Sequence, residues 1–152
     1  MDKEMIGNLA GIVWRTLSEK GKLSFEDLQH ETMLDSESVN AAIGWLARED
    51  KICFDEQNGI TVFYVFHERY YKTATAKSAK TMMTRDLLQA NANYVSLVLN
   101  HRRVTYQELK RLAALSDSDL SSALGWLLCE GELFVSTEDG REYLELRMDY
   151  DF

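Results

Sequence analysis

The sequence predicts an α+β fold, mainly helical, in which one small domain is present twice. Three observations carry this: a long internal repeat, helical apolar stripes that stop at matched places, and a tight-turn signal between two β-prone runs in each half. Trp45 and Trp126 each stand in a Gly-Trp-Leu tripeptide, and a shift of about 81 positions lays one half on the other. Leu23-Ser24-Phe25-Glu26-Asp27-Leu28 falls on Val104-Thr105-Tyr106-Gln107-Glu108-Leu109, and Asn58-Gly59 falls on Asp139-Gly140. A repeat of this kind makes each half a structural unit of its own. The expected division is a first domain over 1–66, a basic and possibly helical connector over 67–84, and a second domain over 85–152.

Each element follows from local pattern. Ile6, Leu9, Ala10, Val13, Trp14 and Leu17 recur at the spacing of one face of a helix, and Gly21 follows where a helix commonly stops. Leu23 begins a short extended piece. Ser24 is a good N-cap with Asp27 in capping-box position, which predicts a short second helix through Phe25 and Leu28 with a turn at Met33-Leu34. Asp35 or Ser36 caps a third helix whose apolar stripe is Val39, Ala42, Ile43 and Leu46, ending near Glu49-Asp50. Residues 51–55 alternate like a strand, Asn58-Gly59 favours a hairpin turn, and residues 60–66 are rich in β-branched and aromatic side chains. The second copy repeats the order. Leu88, Val95, Val98 and Leu99 line its first helix, Thr105 caps the second, and Ser116 or Asp117 caps the third. Strands over 133–136 and 142–147 then flank Asp139-Gly140. Helix, short strand, helix, helix and β-hairpin is the order of a winged helix-turn-helix domain.

The chain has 152 residues, and at this length each half is near the lower limit for a self-sufficient core, so the halves are expected to pack together. Net charge is −8, with Lys and Arg against Asp and Glu at 6 to 12 over residues 1–66, 5 to 2 over 67–86, and 6 to 11 over 87–152. Both copies are acidic and only the connector is basic, whereas a nucleic-acid-binding domain is normally basic on one face. The two cysteines, Cys53 and Cys129, are too few for a disulfide framework, no apolar run has membrane-spanning length, and a cytoplasmic setting is expected.

Residues 6–14, Ile-Gly-Asn-Leu-Ala-Gly-Ile-Val-Trp, followed by residues 44–49, Gly-Trp-Leu-Ala-Arg-Glu, resemble a functionally uncharacterised winged helix-turn-helix family of bacteria and archaea. The resemblance covers about residues 4–66, and its members are typically single small domains. The second half is a diverged copy. It keeps Gly125-Trp126-Leu127 and Glu130 but departs at residues 91–95 and at Leu128-Cys129. The resemblance implies the winged helix fold and little about activity.

Candidate functional residues follow from the third helix, the element that DNA-binding members place in the major groove. With Val39 at the centre of the buried stripe, its outward positions are Glu37, Asn40, Ala41, Gly44 and Arg48, matched by Ser118, Ser121, Ser122, Gly125 and Cys129. Only Asn40 and Arg48 are residue types that commonly read bases. Acidic residues at the helix starts and wing tips oppose a phosphate backbone. The candidate DNA contacts are therefore Asn40 and Arg48, with the basic residues Arg69, Lys72, Lys77, Lys80, Arg102, Arg103, Lys110 and Arg111. The same helix faces are bare, and small residues admit a close neighbour. Ala41, Gly44, Trp45, Ser118, Ser122, Gly125 and Trp126 form the candidate protein-contact face, to be covered by a partner, a second subunit or the domain's own wing. The tryptophans are expected to flank the core, wedged between the third helix and the wing. His30, His67 and His101 lack metal-ligand spacing with the cysteines, and no phosphate loop or nucleophile motif is visible. No catalysis, cofactor, small-molecule ligand or membrane association is expected. The sequence favours a binding or regulatory module acting through protein contacts, including self-association, with a winged helix transcriptional regulator as the alternative.

Overall fold

A computed structural model of the chain describes residues 1–65 and 79–147. The first copy runs α1 (Lys3–Lys20), β1 (Leu23–Ser24), α2 (Phe25–Thr32), α3 (Ser36–Arg48), β2 (Ile52–Gln57) and β3 (Ile60–Val65). The second runs α4 (Ala79–Leu99), β4 (Arg103–Val104), α5 (Tyr106–Ala113), α6 (Asp117–Glu130), β5 (Leu133–Glu138) and β6 (Arg141–Leu146). The winged helix order is present twice. Residues 79–84 of the expected connector are the start of α4. The rest of it, with Arg69, Lys72 and Lys77, lies outside the described residues, as do residues 148–152 of the acidic C-terminal stretch.

Local chemistry sets the element ends. Asp2, Ser24, Asp35, Thr105 and Ser116 each occupy an N-cap and accept the amide proton three residues on. Each satisfies a helix donor that would otherwise be orphaned. The cap bonds from Ser38 hold the Asp35 carboxyl below the usual carboxylate range. In the hairpins Asn58 and Asp139 sit at φ 53° and 52° with Gly59 and Gly140 at 79° and 76°, two consecutive positive values. That is the backbone of the turn whose twist suits a hairpin.

Each hairpin gains a third strand. β1 pairs with β3 through Leu23 opposite Phe63, and β4 pairs with β6 through Val104 opposite Leu144, so the sheets are ordered β1-β3-β2 and β4-β6-β5. From β1 onward the copies match at a shift of 81, but the buried faces of the first helices, Ile6, Ala10, Val13 and Leu17 against Leu88, Ala92, Val95 and Leu99, match at 82. The turn after the first helix is one residue shorter in the second copy.

The buried residues of both copies form one continuous core rather than two. The densest packing between elements joins α3 to α6, the third helices of the two copies. α4 also rests on β2 of the other copy's wing, where the Thr81 hydroxyl, buried, lies 2.9 Å from the Phe54 amide nitrogen and 3.0 Å from its carbonyl oxygen.

Candidate functional site: the paired third helices

Gly44 and Gly125 lie mid-helix in α3 and α6, each facing the other copy. A Cβ on Gly44 would run into the Ser122 carbonyl and stand 2.8 Å from its carbon, and a Cβ on Gly125 would run into the Ala41 carbonyl and stand 2.6 Å from its carbon. The pairing is reciprocal, because Ser122 and Gly125 are the repeat equivalents of Ala41 and Gly44. Residue i meets residue j and j meets i, as at an isologous dimer interface, here within one chain. The glycine Cα–H groups face carbonyl oxygens, a contact common between closely packed helices.

This geometry corrects the expectation of outward-facing third helices. Asn40, Ala41, Gly44, Ser121, Ser122 and Gly125 are buried. Their cover is neither the domain's own wing nor a separate partner, but the third helix of the other copy. An apolar stripe at helical spacing shows which face belongs to the helix's own core; it cannot show that the opposite face is buried as well. Ser118, exposed at the edge, donates to Asn40 Oδ1 across the seam at 3.3 Å. Arg48 forms an ion pair with Glu130 of the other copy at 3.3 Å.

The tryptophans occupy corresponding places with different surroundings. Trp45 donates its indole N–H to Glu49 at 2.7 Å, and Trp126 donates to Glu130, again four residues on. Trp45 is half-buried and lies against α1, its ring 3.2 Å from where a Gly7 Cβ would be. Trp126 is 1% exposed, within the core rather than flanking it. The Arg85 guanidinium lies 5.0 Å from its ring centroid and also reaches Asp50 at 2.9 Å and the Ala47 carbonyl at 3.1 Å. Arg85 and Thr81 thus tie α4 to the first copy. Nothing in the sequence singled them out, because their partners lie far along the chain.

The basic candidates are interleaved with acids. Lys110 pairs with Asp117 at 3.1 Å, and Arg103 pairs with Glu138 at 2.9 Å while stacking 4.1 Å from the Tyr143 ring centroid. Arg102 and Arg103 line a recess that also contains Glu145. Lys80 is half-buried near the start of α4, and Arg111 is exposed on α5.

A polar cleft of about 290 Å³ opens where α3 and α6 begin, lined by Ser36, Glu37, Asn40, Tyr106, Gln107, Asp117 and Ser121. Tyr106 donates to Asp117 at 3.0 Å and lies 3.2 Å from the Ser121 hydroxyl. Burial pushes its phenol up to about 12, and burial with nearby Asp35 raises Glu37. Burial also pushes the Cys129 thiol up to about 11, so it is mostly protonated at neutral pH. Among the described residues, no group of three His, Cys, Asp or Glu side chains is placed to hold a metal ion, and no helix is long and apolar enough to cross a membrane.

Helix-turn-helix units with three-stranded wings, paired through their third helices, define a tandem winged helix protein. The family model described as Winged helix-turn-helix domain (DUF2582) matches residues 1–65 and again 83–146, and the chain belongs to that family. No curated protein and no solved structure matches it.

Proposed function

We propose that the chain is a non-catalytic binding module that acts through protein contacts made by the outer surface of the paired repeats. One observation carries this reading: the helix faces with which a winged helix would read DNA are packed against each other. Opening the pair would return the buried Ala41, Gly44, Ser122 and Gly125 to water, and burial of apolar surface is worth about 25 cal/mol per Å². The net charge of −8 opposes a phosphate backbone as well. Lys110, Arg103 and Arg48, which the alternative reading would use, already face carboxylates.

Fluorescence anisotropy with random-sequence duplexes in moderate salt tests the choice. Binding should be weak, because the acidic helix starts and wing tips oppose the counterion release that drives association with DNA. Submicromolar affinity with a steep salt dependence would instead make the chain a DNA-binding regulator that uses some surface other than its third helices.

A further inference from the structure

The outward face of α4 is apolar along most of its length. Met83, Leu87, Tyr94 and Leu97 are 69%, 60%, 42% and 75% exposed, and Ala90 is exposed between them. At 100° per residue these five lie on the side opposite the buried Leu88, Ala92, Val95 and Leu99. A helix packed on a core by one face normally turns polar residues to water on the other. The first copy does so in part: Met5, Asn8, Ile12 and Arg15 stand where α4 has Leu87, Ala90, Tyr94 and Leu97. The stripe therefore belongs to this chain's second repeat rather than to the winged helix plan.

We propose that this face of α4 is a self-association surface, on which the α4 helix of a second copy lies antiparallel. Three features select a second copy. The spacing 83, 87, 90, 94, 97 alternates four and three, the seam spacing of two helices packed side by side. The stripe is also close to palindromic about Ala90: a twofold axis there sets Met83 against Leu97 and the small Ala90 against itself, and brings Leu87 within one position of the partner's Tyr94. This is the self-complementarity that an isologous contact requires. Finally, the four large side chains expose on the order of 500 Å², most of the roughly 800 Å² that each partner of a standard interface buries. Asn91 and Asn93 flank the seam without charge. Asp86, the acid beside it, comes opposite the partner's Asn93–Tyr94 region and not another Asp86. Two chains of net charge −8 thus meet along a neutral strip.

This names one contact within the protein-binding reading and rests on it. Its test reads self-association alone, so its failure is distinct from a positive DNA result. Ala90→Cys should form a covalent dimer under mild oxidation at least tenfold faster than Arg15→Cys on the exposed face of α1. The wild-type chain, with Cys53 buried and Cys129 half-buried, gives the background rate. Sedimentation equilibrium should give a dimer for the wild type and a monomer for Leu87→Glu combined with Leu97→Glu, at an unchanged helical signal. A wild type that stays monomeric at high micromolar concentration would overturn the proposal. So would Ala90→Cys linking no faster than Arg15→Cys, or a dimer that survives the double substitution.

Discussion

Gly44 and Gly125 hold mid-helix positions where alanine would ordinarily be better by about 0.5–1 kcal/mol. Here the sign reverses, because the added methyl would land on a backbone carbonyl that cannot swing aside. Gly44→Ala and Gly125→Ala should each destabilise the protein by roughly 1–3 kcal/mol, the usual cost of overpacking. Gly11→Ala, in α1 where an added Cβ meets nothing within 4 Å, should stabilise it by about 0.5–1 kcal/mol. Urea denaturation of the three variants checks both signs, and a neutral Gly44→Ala would mean that the helices stand farther apart. Cys129 offers a second residue-scale check. Its thiol rises from an ordinary 9.0 to about 11 on burial, so the folded chain keeps a proton that the unfolded chain has lost. Stability should therefore be intact below about pH 9 and fall as the pH climbs toward 11, with Tyr106 adding to the fall from about 10 to about 12. Urea midpoints measured from about pH 8 to about 11 should decline, and less steeply in Cys129→Ala. At this scale the sequence marked both glycines as sites of close approach, because retaining a costly residue at the same place twice needs a cause. It could not name the Ser122 and Ala41 carbonyls, since the spacing of small residues says nothing about which helix covers them.

Helix ends were legible because a cap involves residues only three apart: Ser24 and Thr105 were readable outright, and Asp35 and Ser116 to within one residue, with Ser36 and Asp117 as the alternatives. The short strand ahead of the second helix was expected, but its place in a three-stranded sheet was not. β1 and β4 have two residues each, and their pairing with β3 and β6 depends on partners about forty positions away. The docking of α4 on the first wing was equally hidden, since a threonine in a run of Ala, Lys and Met carries no signal of its own. Thr81→Val keeps the shape but removes the hydroxyl that serves both the amide and the carbonyl of Phe54. It should cost about 1–3 kcal/mol and speed hydrogen exchange at the Phe54 amide. Unchanged exchange there would mean that the strand does not depend on that contact. The outer stripe of α4 was present in the sequence but masked, because Leu87, Leu88, Tyr94, Val95, Leu97 and Leu99 together blur into a helix without a polar face.

For the molecule as a whole, the repeat announced two domains but not their shared interior. α3 and α6 each contribute to the core of their own copy on one side and to the seam on the other, so neither copy's burial is complete without its fellow. Thermal unfolding should therefore be a single transition with equal calorimetric and van't Hoff enthalpies, as for a small one-domain protein. Two resolved transitions would show that each copy folds for itself. The reciprocal seam has a further consequence. Two separate winged helices joined this way would part on dilution, whereas covalent continuity keeps each face before the other at an effective concentration on the order of millimolar or higher. Any ligand seeking Gly44 or Gly125 must outcompete that neighbour at every protein concentration. A symmetric dimer must also present the same residue at both of its outer surfaces. Joined end to end, the halves were free to drift apart, and Arg15 on one flank against Leu97 on the other records that divergence.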